Sequence, residues 1–179
     1  MTTVTIINPL GVPAHHHTNP DGTEGGWVAN TATVHPTAHI SPYAQVSGYA
    51  QVSAGAKVFD YARVFGYARV FDGARVFGYA RVSGGARVFG GARVFGDARV
   101  SGDAHVSERQ HVLTVGPIGS EDQHATLMPT ASGPWVVVGC WEGPLDQLLP
   151  EAERRAPRHM DDYTALHALF VSRAARWNR

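Results

Sequence analysis

The side chains best suited to chemistry are ten histidines and a single cysteine. Histidine changes charge near neutral pH, so His35, His39, His105 and His111 are candidate general bases. The run His15, His16 and His17 invites a metal reading. Successive side chains on an extended segment point to opposite sides, so three adjacent imidazoles cannot converge on one ion, and no Cys or carboxylate stands at ligand spacing nearby. No metal site and no cofactor are expected. Cys140, in the apolar run WVVVGCW, has no histidine beside it and reads as a buried packing residue, not a nucleophile. Arginine offers a different chemistry, attraction for anions, and the arginines recur at a fixed spacing.

That spacing belongs to a repeat. Fifteen aliphatic residues stand six apart, from Val28, Val34 and Ile40 through to Val106 and Val112, and each of the first thirteen is followed four places later by an alanine, Ala32 to Ala104. A six-residue period fits neither the 3.6-residue period of an amphipathic helix nor hairpin strands with turns every 8–12 residues. Within a unit, Ala and Val point inward on a short strand, and a small pair such as GY, DG, GG or GD turns a corner. One unit is too short to bury anything alone, so successive units must stack around a shared Val/Ala interior. The expectation is a mainly β chain, a β-solenoid over residues 28–112.

If eighteen residues make one coil, fifteen units give five coils and a prism about 24 Å tall at the usual strand spacing. Residues eighteen apart then form columns on the outside. Phe59, Phe77 and Phe95 make one, Phe71 and Phe89 a second, and Phe65 continues into Ser83 and Ser101. Arg63, Arg81 and Arg99 align, as do Lys57, Arg75 and Arg93, and Arg69 with Arg87. Tyr43, Tyr61 and Tyr79 form a tyrosine ladder, with Tyr49 and Tyr67 on a different side. Two readings compete. Arginine stems packed over aromatic rings would shield the backbone. Alternatively, the outward phenylalanines form an apolar patch that a second copy or a protein partner covers, and stacked like charges favour an anion alongside.

The repeat resembles the hexapeptide-repeat proteins over about residues 28–112. That resemblance implies a left-handed parallel β-helix with three six-residue sides per triangular coil, commonly assembled as a trimer. It is specific for fold and weak for activity, because the superfamily includes acyltransferases, carbonic anhydrases and proteins with no known catalysis. In one respect this chain departs from the family pattern: Phe or Ser directly follows the aliphatic residue and Gly comes one place later, which shifts the corner by a residue. Acyltransferases of the superfamily use a histidine base and a loop extruded from a coil. Here the hexads run without interruption. His39 and His111 share a side but lie four coils apart, about 19 Å. His105 merely takes the place of the repeat's arginine, so His111, where the hexads stop, is the weak candidate for a catalytic base. The zinc-histidine pattern of the carbonic anhydrases is not matched, since His35 and His39 point in different directions on a six-residue side.

Flanking the repeat are a leader, residues 1–27, and a C-terminal module, residues 113–179. In the leader the β-prone run Val4 to Ile7 is expected to cover the first coil's edge, followed by the turn-rich NPDGTEGG. In the module, Val112–Val115, His124–Met128 and Trp135–Trp141 read as three strands. A short helix is expected over Pro144–Arg155, interrupted or restarted at Pro150, and a last helix to about Trp177, N-capped by Asp161 or Asp162. Tyr163, Leu166, Leu169, Phe170 and Trp177 would lie largely on its buried face. This is a small α/β cap for the solenoid. The segments VGPIGS and WVVVGCWEG with the final helix resemble a module that follows hexapeptide repeats in many phage, prophage and other mobile-element proteins.

Charge completes the picture. Fifteen Lys+Arg balance fifteen Asp+Glu, which argues against bulk polyanion binding by the chain as a whole. The balance is uneven, however: residues 28–106 hold eight bases against Asp60, Asp72, Asp97 and Asp103, while both ends are mildly acidic. Neither a signal sequence nor an apolar run long enough for a bilayer is present, and the lone cysteine fits a reducing cytoplasm. The leading expectation is a non-enzymatic binding or scaffold protein of mobile-element type. Alternatives are a trimeric acyl- or acetyltransferase, and a nucleotide, nucleic-acid or other small-anion binder on the Arg/Tyr columns.

Overall fold

The computed structural model describes residues 8–119 and 121–177. The expected strand at Val4 to Ile7 lies outside the described residues. The chain opens with an antiparallel hairpin, β1 (Ala14–Thr18) and β2 (Glu24–Ala29), and continues into thirteen two-residue strands, β3 (Thr33–Val34) to β15 (His105–Val106), one at every sixth residue. These form the three sides of a parallel β-solenoid. The first side stacks the strands ending at Val28, Val46, Val64, Val82 and Val100, with β1 added at its lower edge. The second stacks Val34, Val52, Val70, Val88 and Val106; the third stacks Ile40, Val58, Val76 and Val94. The register is eighteen residues throughout, for example Arg63 to Arg81 to Arg99.

The interior follows from the sequence alternation. From Ala38 and Ile40 to Ala104 and Val106 every inward Ala and Val is essentially inaccessible to solvent. Nine corners are turned by a residue in the left-handed region two places after the aliphatic one, such as Gly66 (φ 70°), Gly78 (φ 72°), Asp60 (φ 54°) and Asp72 (φ 54°), whereas Asn30, Pro36, Pro42 and Ala54 hold that place without it. Glycine, or aspartate whose short side chain tolerates this backbone, is therefore required one place later than in the usual hexapeptide pattern. The expected five coils are corrected to four complete coils and two sides of a fifth. Val112 makes no strand, because Arg109–His111 form a single 3-10 turn that carries the chain off the prism.

Both ends are closed by polar chemistry and by packing. At the lower end the third side's first strand, β4 (His39–Ile40), has no strand beneath it among the described residues. His17 Nε2 lies 3.1 Å from the Ala38 carbonyl oxygen and donates to it. Asn19 Oδ1 accepts from the Ile40 N–H at 2.9 Å, and Asn19 Nδ2 donates to the Ile40 carbonyl at 3.2 Å. A carboxamide thus takes the place of a peptide group in the missing rung.

At the upper end stands a four-stranded antiparallel sheet of β16 (Leu113–Ile118), β17 (Gln123–Thr130), β18 (Gly133–Val138) and β19 (Trp141–Pro144). Its period-two alternation serves two cores. Met128, Val137 and Trp135 pack on the open end of the Val/Ala interior. Ala125, Leu127, Val136 and Val138 pack against α1 (Leu148–Arg155) and α2 (Met160–Ala174) through Leu148, Ala152, Tyr163, Leu166 and Phe170.

The expected Trp135–Trp141 strand is two strands, since Gly139, in the left-handed region, and Cys140 form a tight turn. Pro150 stands in the first turn of α1, where its missing N–H costs no helical bond. The last helix is entered through His159, with Asp161 and Asp162 in its first turn and not at the cap. Leu169 is exposed, and Trp177 lies beyond the helix, its indole N–H donating to the Gln110 carbonyl at 3.0 Å. No helix among the described residues is long and apolar enough to cross a membrane.

Candidate binding faces

The residue before each inward valine stands outward in the middle of a side. On the first side this column runs Trp27, Gln45, Arg63, Arg81 and Arg99, with His16 of β1 stacked on Trp27 at 3.9 Å. On the second it runs Thr33, Gln51, Arg69, Arg87 and His105; on the third, His39, Lys57, Arg75 and Arg93. Among the described residues, no ion pair within 4.0 Å involves Lys57 or any arginine from Arg63 to Arg99. Like charges therefore sit one rung apart, roughly 4.8 Å at the backbone, without carboxylate partners. Arg93 shows the consequence: partial desolvation, then the nearby Arg109 and Arg75 cations, lower its pKa from the ordinary arginine value.

The phenylalanines follow the valines and line the same sides. Phe77 and Phe95 stack at 5.3 Å and Phe71 and Phe89 at 5.0 Å, whereas Phe59 tilts over the imidazole of His39 at 5.4 Å. Phe59, Phe71, Phe77 and Phe89 are half-buried and Phe95 is exposed. Guanidinium groups share in this cover: Arg69 and Arg87 lie 5.8 and 5.9 Å from the Phe71 ring centre, and Arg63 lies 6.0 Å from that of Phe65. The second side is thus partly occupied by its own arginines. Arg87 Nε is buried there with no hydrogen-bond partner among the described residues.

The most open aromatic surface belongs to tyrosine. Tyr43, Tyr61 and Tyr79 stack with ring centres 5.1 and 5.2 Å apart, Tyr49 and Tyr67 at 5.4 Å, and all five are 49–68% exposed. Each ladder stands at a corner, not on a side. The corner carrying Tyr43, Tyr61 and Tyr79 leads into the first side, and the one carrying Tyr49 and Tyr67 leads out of it, so the two ladders border the same face. The third corner carries Thr37, Gly55, Gly73 and Gly91 instead.

No protein-family model, curated protein or solved structure matches this chain.

The candidate bases do not converge. His35 Nδ1 contacts Thr37 Oγ1 at 2.8 Å, and His105 is exposed above Arg87. His111 has left the prism with the 3-10 turn. Its Nδ1 accepts from the Ser107 N–H at 3.2 Å, which places the proton of the neutral ring on Nε2, and the ring meets Trp177 edge-on at 5.9 Å. Burial lowers its pKa, with Glu108 opposing. His15, His16 and His17 take separate partners, Asn30, the Gly25 carbonyl and the Ala38 carbonyl. Among the described residues no three His, Cys, Asp or Glu side chains come together as a metal set.

Sequence reasoning missed two concavities, one at the junction with the cap and one within it. The first, about 320 Å3, continues the first side upward: Tyr79, Arg81 and Arg99 face Asp97, Glu121, Asp122 and His124. Arg99 Nη1 is held there by the Gly139 carbonyl at 2.8 Å, and His124 lies 3.7 Å from Asp97. The second, about 230 Å3, lies inside the cap between Cys140, Trp141, Glu151, Arg155 and Tyr163. The expected buried Cys140 is corrected here: it is exposed at the tip of the β18–β19 turn, with Arg155 Nη1 3.3 Å from its sulfur. Gly139 directly before it was the available signal, as a glycine between apolar runs marks a turn. Hydrogen bonds from Arg154 and then Arg155 hold the Glu151 carboxyl below its ordinary range. Burial first, then Asp162 and Glu121, raises the Tyr163 phenol. The group is a structural knot of the cap in which Arg155, not a histidine, stands beside the thiol.

Proposed function

We propose that the protein is a non-enzymatic β-helical scaffold that binds through its regular faces. The observation that carries this reading is the stacking, rung upon rung, of cations without carboxylate partners between Lys57 and Arg99 and of exposed tyrosines between Tyr43 and Tyr79. A catalyst needs a few groups converging on one reacting atom. Translational repetition supplies equal groups at equal spacing, which suits a partner that is itself extended or repeated. The Phe77–Phe95 stack, with Phe95 open to solvent, is the part of the third side best suited to meet a second copy or a protein partner. A trimer is the assembly the hexapeptide resemblance favours, and the GPIGS and GCW segments support a phage or mobile-element setting.

Calorimetry and thermal shift with acetyl-coenzyme A test the reading against an acyltransferase. No saturable binding is expected, and tight saturable binding would overturn it. Light scattering of the intact chain and of Phe95→Asp tests assembly: a multiple of 19.2 kDa that the substitution dissociates supports use of the third side.

A further inference from the structure

We infer that the first side of the prism is a docking track for a linear acidic polysaccharide carrying one anionic group per sugar unit, an inference that rests on the binding-scaffold reading. The six-stranded side is the tallest of the three, and it alone has a tyrosine ladder at both margins. Arg63, Arg81 and Arg99 run up its centre, all three exposed, below them Gln45. Of the six tyrosines in the chain, the five on the solenoid border this face. The upper end is stopped at the Arg99 rung, where Asp97 of the adjoining corner and Glu121 and Asp122 of the cap would repel an anionic chain that ran further. The track is therefore bounded on both flanks and at one end.

The spacing selects the ligand. Arg63, Arg81 and Arg99 repeat after roughly 4.8 Å, each guanidinium able to hold an oxyanion by two parallel hydrogen bonds; tyrosine hydroxyls flank the Gln45 and Arg63 rungs on both margins and the Arg81 rung on one, and Asp97 and Asp103 take those places beside Arg99. One pyranose ring with its glycosidic oxygen advances a sugar chain by close to one rung, so in a ribbon whose successive rings face alternately, same-face anionic groups and ring hydroxyls recur close to every second rung and stay in step with the prism. An extended acidic peptide presents same-face carboxylates only every two residues, roughly 6.7 Å, and falls out of step within two rungs. Single-stranded nucleic acid depends on bases stacking on aromatic faces. Inserting a base between two rings needs about 6.8 Å, twice the 3.4 Å stacking rise. The tyrosines stand 5.1–5.4 Å apart, nearly parallel, and cover one another's faces. They present edges and hydroxyls, which suit sugar hydroxyls and anions.

The test is calorimetric titration of the intact protein with oligogalacturonates of two to ten units at low and moderate salt. The fully methyl-esterified oligomers, a single-stranded oligonucleotide and polyglutamate serve as comparison probes. Affinity should rise with length up to about four units, the rungs from Gln45 to Arg99, then level off, and fall with salt. Arg81→Gln should weaken binding about tenfold and Tyr61→Phe, which removes one hydroxyl and keeps the ring, about threefold. Arg75→Gln on the third side should change it less than twofold. These residues are exposed, so unchanged melting temperatures serve to establish that the variants fold. Absence of binding to the charged oligomers, equal binding of the esterified ones, tighter binding of the oligonucleotide or polyglutamate, or an equal loss with Arg75→Gln would each overturn the inference. None of these touches the scaffold reading, which falls separately on saturable acetyl-coenzyme A binding.

Discussion

Replacing Asn19 by alanine tests whether side chains close the lower end of the prism. Asn19 is 4% exposed, and its carboxamide satisfies both the N–H and the C=O of Ile40, whose side chain is wholly buried. Alanine removes both partners at once. Each buried backbone group left without a partner costs about 1–3 kcal/mol. Water reaches an end coil more readily than an inner one, so the low end of the combined range applies, about 2–3 kcal/mol. In a solenoid each coil is held by its neighbours, so this loss should appear first as fraying of the lowest coil and only partly in global melting. The assay is amide hydrogen exchange at Ile40, read beside Val58 one rung higher. Exchange at Ile40 should accelerate about 30- to 150-fold, with Val58 much less affected. Asn19→Asp is the informative companion: it keeps the acceptor for the Ile40 N–H but sets a carboxylate against the Ile40 carbonyl. It should be no more stable than the alanine variant near neutral pH and recover as pH falls through the carboxyl range near 3.9. An alanine variant within about 0.5 kcal/mol of wild type, with Ile40 still protected, would refute the reasoning.

Three further outcomes are expected. In His111→Asn the amide oxygen can still accept from the Ser107 N–H, but the titration is gone. Because burial lowers the His111 pKa below its ordinary 6.5, the unfolded chain binds the proton more readily, and stability should fall as pH drops below about 6.5 through the folded value. The asparagine variant should lose that part of the pH dependence in melting temperatures taken from pH 7.5 to 5. Gly26→Ala should be costly, since an added Cβ would meet the backbone oxygens of Ala44 and Ser41, the latter at 2.6 Å, whereas Gly91 has open space around it. Denaturant unfolding should show a loss of about 1–3 kcal/mol or more for Gly26→Ala and less than about 0.5 kcal/mol for Gly91→Ala. Finally, the stacked cations should make melting temperature rise with sodium chloride between 10 mM and 0.5 M, as screening relieves their mutual repulsion. A flat or falling curve would show that the columns are already compensated.

What could be read in the sequence was what repetition enforces. Val and Ala at a six-residue period leave no arrangement but stacking, and once coils stack at eighteen residues the columns of Arg63, Arg81 and Arg99 or of Phe77 and Phe95 follow by counting. The corner position followed from glycine's place two after valine, and Asp60 and Asp72 occupy the same left-handed backbone. Counting could not show which columns share a face. A corner belongs equally to the side before and the side after it, so the Tyr43 and Tyr49 ladders looked separate until the three-sided section placed both beside Arg63. Nor could it show where repetition ends. Val112 keeps the hexad spacing, yet the chain leaves the prism in the 3-10 turn at Arg109–His111. The cap was harder still, because WVVVG reads as one apolar strand unless the single glycine is given the weight of a turn. The same logic explains why the binding faces were legible as columns and the junction cleft was not. A ladder is a property of the period, whereas a cleft joins Tyr79 and Arg81 to Glu121 and His124, which only tertiary packing brings together.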